Sequence, residues 1–131
     1  MRSTYHDTVL GTAGPVAVVA TTDAERARGF YEGTLGLSLV GDEEFALVFD
    51  VQGTMLRVTR VERLEPQPFT VLGWRVADAE ASVRALTARG VTFERYSSLE
   101  QDDLGIWLAP AGTRVAWFKD PDGNVLSVSQ Y

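Results

Sequence analysis

The feature that most limits how this chain can fold is that it contains an approximate copy of itself. Phe45–Arg60 and Val115–Gln130 overlay without gaps at a constant spacing of 70 residues (Asp50 to Asp120), with Ala46/Ala116, Asp50/Asp120, Gly53/Gly123, Leu56/Leu126 and Val58/Val128 identical. Each copy reads as strand, tight turn, strand. The turns Asp50-Val-Gln-Gly53 and Asp120-Pro-Asp-Gly123 end on glycine, where a turn often needs a positive φ, and alternating apolar residues flank them. Upstream lies a second matching pair: the short apolar strands Gly14–Ala20 and Phe69–Val76, each running into a helix. The first helix opens with Thr22-Asp-Ala-Glu25, the spacing of a capping box, presents Ala27, Phe30, Tyr31 and Leu35, and stops at Gly36. The second takes Asp78 as N-cap, buries Ala79, Val83 and Leu86, and stops at Gly90. Short strands follow near Leu37–Val40 and Val91–Glu94. The order is strand, helix, three strands, performed twice. This predicts an α+β fold of two tandem βαβββ modules, the first over about 14–60 and the second over about 69–131. Residues 61–68, with two prolines, form the linker. One half alone is too small for a stable core, so residues 1–131 are expected to be a single domain.

Composition removes several function classes. Twelve Lys and Arg against 18 Asp and Glu give a net charge of −6 with no basic patch, which argues against nucleic acid. No apolar run approaches a membrane span, and the N-terminus has no stretch of secretory length; with no cysteine, this reads as a cytoplasmic protein. One histidine and no cysteine leave little from which to build a zinc, iron, nickel or copper site. That single histidine, His6, lies outside the repeat, so Ser-His-Asp and Cys-His arrangements find no support.

Two motifs carry a family resemblance. Asp23-x6-Phe30-Tyr31-x4-Gly36-Leu37 and Phe118-Lys-Asp-Pro-Asp-Gly-Asn124 resemble the vicinal oxygen chelate superfamily, which includes glyoxalase I, extradiol dioxygenases, fosfomycin-resistance enzymes and bleomycin-binding proteins. The resemblance runs from about Gly14 to Tyr131. It implies paired modules that curl into a cup-like mixed sheet with helices outside, often completed by dimerisation. Metal-dependent members carry His or Glu on the first and last strand of each module. By the motif and the repeat spacing, those positions are Val16, Arg57, Val71 and Ser127 here. Two have no donor atom, one is a fixed cation and one a weak neutral ligand, so the implied metal is not carried over and no cofactor is expected.

Strand alternation then assigns the neighbours of those positions. Val16, Val18, Met55, Arg57, Thr59, Val71, Gly73, Arg75, Val125, Ser127 and Ser129 should line the concave side. Leu56, Val58, Leu72, Trp74, Val76, Leu126 and Val128 should meet the helices. Arg57 and Arg75 are candidate anchors for a ligand carboxylate, phosphate or enolate, or else partners of Glu44, Glu94 or a loop acid. Trp107 and Trp117 offer planar surfaces for stacking, or core or dimer-interface packing; Tyr31 and Tyr96 offer phenolic protons at a pocket mouth, or packing. The acidic run Ser97–Gly105 reads as a solvated loop or a lid, and Asp120, Asp122 and Asn124 as turn residues rather than a calcium loop.

The expected function is a metal-independent binding protein: a homodimer holding a small organic molecule against Val16, Met55, Arg57, Val71, Arg75, Trp107, Trp117 and Ser127. The alternative is a metal-free lyase or isomerase, with Arg57 stabilising anionic charge and Glu44, Tyr31 or His6 as acid or base. A regulatory, partner-binding module is the third class.

Overall fold

The computed structural model describes residues 9–131; His6 lies outside them. The elements are β1 (Val16–Thr21), α1 (Ala24–Arg28), β2 (Ser38–Asp42), β3 (Ala46–Val51), β4 (Thr54–Arg60), β5 (Thr70–Arg75), α2 (Ala79–Ala88), β6 (Trp107–Leu108), β7 (Arg114–Lys119) and β8 (Val125–Gln130). A π-helical turn, Gly29–Thr34, continues α1. Two four-stranded mixed sheets result, ordered β1-β4-β3-β2 and β5-β8-β7-β6, each with its first strand parallel to its last and the other pairs antiparallel. The duplicated α+β architecture is the one the repeat predicts.

Each helix covers one face of its own sheet, α1 on β3 and β4, α2 on β7 and β8. The apolar rows expected to meet the helices do so: Leu56, Val58, Leu126 and Val128 are buried with Leu47, Phe49, Phe118, Tyr31 and Val83. Burial of side chains of this size contributes roughly 1.5–3 kcal/mol each. The second helix starts as read, with Asp78 accepting from Ala81 N at 3.1 Å. In the first, the cap is Asp23, which accepts from Arg26 N at 3.1 Å. Thr22 is drawn away because its hydroxyl and amide both donate to Asp122 in the other module.

The two hairpins are not gapless copies. Behind the turns the spacing of 70 holds, since Leu56 and Leu126 both face the core. Ahead of them it shrinks by one residue: Phe49 pairs with Leu56, and Phe118 pairs with Leu126. The turns explain this. The first pairs Val51 with Thr54 around Gln52 and Gly53, both left-handed at φ 51° and 85°, as a two-residue hairpin turn prefers. The second pairs Lys119 with Val125 and leaves Asp120–Asn124 as a longer loop. A one-residue slip moves a side chain to the other face. The structural counterpart of Trp117 is therefore Val48, opposite Arg57, and not core-facing Leu47. Asp50 and Asp120 align in sequence but occupy different places: Asp50 is an exposed strand residue and Asp120 a buried loop residue.

The second module also departs from the expected strand at Val91–Glu94. Only Phe93 there makes a bridge, to Phe118, and the ladder beside β7 is taken up by Trp107 and Leu108. β1 and β5 touch across the middle of the molecule without pairing, so the modules share no backbone ladder.

Candidate functional site

The Asp120–Asn124 loop ties the second module to the first by hydrogen bonds. Tyr31 on the π-helical turn donates its hydroxyl to Asp120 Oδ2 at 2.7 Å, deep in the core. Asp120 also accepts from the Asp122 and Asn124 amides at 3.0 and 2.9 Å and from Asn124 Nδ2 at 2.8 Å. Asn124 Nδ2 reaches back to the Ala20 carbonyl at 2.9 Å. Thus the two motifs that carry the family resemblance meet in space and bind each other. Tyr31 is no pocket-mouth acid: burial, then the charge and hydrogen bond of Asp120, push its phenol far up and lock its proton in place. Sequence reading missed this hub because each half of it is a plausible helix face or turn on its own.

Asp122 completes the junction. Its side chain is 2% exposed and accepts from Thr21 Oγ1 at 2.6 Å, from the Thr22 amide and hydroxyl, and from Arg26 at 3.2 Å. Burial alone would raise its pKa, but the bonds from Thr21 and Thr22 and the Arg26 charge outweigh it and hold the carboxyl below its ordinary value. A depressed carboxyl stabilises the fold fully above its unfolded value of 3.8, and the contribution fades as pH falls through the lower folded value. The stability gap between wild type and Asp122→Asn should accordingly be constant from pH 7 to 5 and narrow below about pH 4. Thermal unfolding across that range checks this; a gap that widens in acid contradicts it.

The candidate ligand surface is the sheet face turned away from the helices. In the first sheet Val16 stands opposite Met55 and Val18 opposite Arg57. In the second, Gly73 and Trp117 flank Ser127, Arg75 stands opposite Ser129, and Trp107 opposite Val115. Alternation places all of these on one side of their sheets. A Cβ at Gly73 would come within 2.7 Å of Ser127 Oγ, so glycine keeps the floor low beside that buried serine. Val71 is not brought into this row. The ladder slips between Thr70 and Leu72, leaving Val71 unpaired, while Thr70 takes up the Trp117 indole N–H at 3.1 Å. The face is open: Val16 is 52% and Val18 58% exposed.

The donor set at the expected metal positions does not fit a transition metal. Val16 and Val71 have no donor, nor have Val18 and Gly73, which stand directly opposite Arg57 and Ser127. Arg57 brings a cation there, paired with Glu43 at 3.3 Å rather than with Glu44 or Glu94. Glu43 is further held by Arg60, which donates to its carbonyl. The Arg57–Glu43 pair is partly exposed and worth at most about 1 kcal/mol, so an incoming anion displaces Glu43 at small cost. The Arg75 guanidinium lies 5.3 Å from the ring centre of Tyr131. Among the described residues no group of three or more His, Cys, Asp or Glu is placed to hold a metal ion.

The aromatic residues form a cluster. Trp107 and Trp117 lie 6.0 Å apart at 32°, and Tyr96 meets Trp117 edge-on at 5.5 Å. A ring sandwiched between two others needs about 7 Å between them, at about 3.5 Å per contact. The pair is therefore a platform and not a clamp. Burial, then the Glu94 charge, raise the Tyr96 phenol, which stays a donor. The acidic loop beside this platform is tied down. Gln101 accepts from Tyr96 N and donates to the Glu94 and Gly105 carbonyls, while Arg95 grips the carbonyls of Asp102 and Asp103. It is a fixed rim, with Asp102 Oδ1 already accepting from the Leu104 and Ile106 amides.

Residues 13–128 match the family model described as the Glyoxalase/Bleomycin resistance protein/Dioxygenase superfamily. No curated protein is significantly similar to the chain. Among solved structures, a lactoylglutathione lyase from Agrobacterium tumefaciens superposes with a TM-score of 0.70 at 16% identity, covering 91% of this chain and 93% of that one. A superfamily member from Sphaerobacter thermophilus gives 0.69 at 25% identity over 90% and 98%. A glyoxalase family protein from Enterococcus faecalis gives 0.70 at 17% over 92% and 99%.

Proposed function

This chain belongs to the glyoxalase/bleomycin resistance protein/dioxygenase superfamily, and on that footing we propose that it is a metal-independent binding protein for a small, flat organic molecule. The observation that carries the reading is the Trp107–Trp117 platform beside Ser127 on the open sheet face. Indole faces supply large apolar contact at little cost in side-chain freedom, and Tyr96 and Ser127 supply polar direction. The misfit of Val16, Arg57, Val71 and Ser127 to any transition metal supports binding without metal chemistry. The exposed apolar row of Val16, Val18 and Met55 supports a homodimer in which a second copy closes the cavity. A cytoplasmic location is proposed for the protein; no helix among the described residues is long and apolar enough to cross a membrane.

A metal-free lyase or isomerase is the second reading. It is favoured by the placement of Arg57 on this face with only a weak ion pair to displace. Native mass spectrometry of protein purified from its own host separates the two. The expected spectrum shows two chains with an organic adduct recovered intact. A transition metal in equal amount, or recovery of the adduct only in converted form, contradicts the binding reading. Trp107→Ala should weaken rebinding of the recovered compound by about tenfold or more, as loss of an aromatic stacking surface typically does, measured by calorimetric titration.

A further inference from the structure

On the opposite side of the second sheet, away from the aromatic platform, a cleft of about 330 Å³ separates the first module from α2. We propose that this cleft binds an amphipathic anion, a carboxylate carried on an acyl chain, independently of the ligand face described above. Its walls are Leu35, Leu37, Trp74, Leu86 and Phe118, with Trp74 and Phe118 stacked at 6.4 Å. The leucines, Trp74 and Leu86 pack on the core yet remain partly exposed, so the wall is apolar surface left in water. Gly36, left-handed at φ 75°, turns the chain sharply between the two leucines, so that both reach the cleft.

The charge at the cleft selects the occupant. The chain carries a net charge of −6, yet no acidic residue borders the cleft, where Arg89 and the strand end at Arg75 stand. The Arg75 guanidinium is occupied by the Tyr131 ring. Arg89 is exposed, reaches across Gly36 to the Thr34 carbonyl at 3.1 Å, and pairs with no described carboxylate. An apolar trough edged by one guanidinium that no described carboxylate neutralises repels cations and matches a long apolar body ending in a carboxylate. Its volume is at the lower end of the range for small-molecule sites, which fits a single medium-length chain.

Calorimetric titration with dodecanoate, decanoate and decanol tests this on the whole chain. Dodecanoate should saturate one site per chain, with decanoate about tenfold weaker for its two missing methylenes. Arg89→Met should weaken both acids roughly fivefold and leave decanol unchanged. Ala85→Trp, an exposed change on the cleft wall, should abolish binding of all three, whereas Trp107→Ala on the other face should leave it intact. Absence of saturable binding overturns the proposal. So does equal loss of decanol in Arg89→Met, or loss in Trp107→Ala, which would seat the acid on the aromatic platform. Should Ala85→Trp fail to fold, the acid–alcohol comparison in Arg89→Met still decides.

Discussion

Asp120→Ala is expected to lower the stability of the chain by about 3–5 kcal/mol, whereas Asp50→Ala, its match in the sequence repeat, should change it by no more than about 0.5 kcal/mol. The contrast follows from what each carboxylate touches. Asp120 is 5% exposed and accepts from the buried Tyr31 hydroxyl, from two backbone amides and from Asn124. Alanine leaves those donors buried without an acceptor, and each such group costs about 1–3 kcal/mol. It also removes one of the ties between the modules, which share no strand ladder. Asp50 stands exposed on β3 opposite Met55, with no such duties. Urea unfolding followed by tryptophan fluorescence measures both. Equal losses would mean that the two hairpins are equivalent after all, and that the loop is not the joint.

Val18→Glu should convert a dimer into monomers at micromolar concentration, with the monomer still folded. β1 is an edge strand whose outward side chains Val16 and Val18 are more than half exposed, with Met55 beside them on β4. A carboxylate placed in the middle of an apolar contact must be desolvated without a partner, which costs several kcal/mol and so more than a hundredfold in association. In the monomer the same residue stays in water and costs almost nothing. Sedimentation velocity should show wild type at twice the mass of one chain and the variant at the mass of one. A wild-type monomer would rule out the dimer, and a variant that still dimerises would place the interface elsewhere; either leaves the ligand face without its second wall.

Periodicity made the modules legible. Alternating residues such as Leu56/Val58 and Leu126/Val128 assign the core face with no knowledge of the turns. The strands ahead of the turns were harder, because the identities Ala46/Ala116 and Asp50/Asp120 hide a one-residue slip that only turn geometry reveals. Local cues likewise pointed to Thr22 as a cap; its real partner, Asp122, is a hundred residues away. Trp107 and Trp117 stand out in the sequence with no sign that they adjoin, because β6 replaces the strand expected at Val91–Glu94. Arg57 and Tyr31 were legible as residue types, but their neighbours Glu43 and Asp120 come from tertiary contacts that no local pattern encodes.

The mismatch between the two hairpin tips gives the molecule one handle and one lock. The tip at Gln52-Gly53 borders a gap of about 260 Å³ beside β5, whereas the tip at Asp120–Asn124 is woven into β1 and the π-helical turn. Added chain in a surface loop costs little, with closure entropy rising by only about 0.6 kcal/mol per doubling of length. A reporter peptide or fluorophore spliced between Gln52 and Gly53 would leave the fastening between the halves untouched. The same graft between Pro121 and Asp122 would pull the fastening apart, so a near-symmetric fold offers only one of its two corners to the engineer.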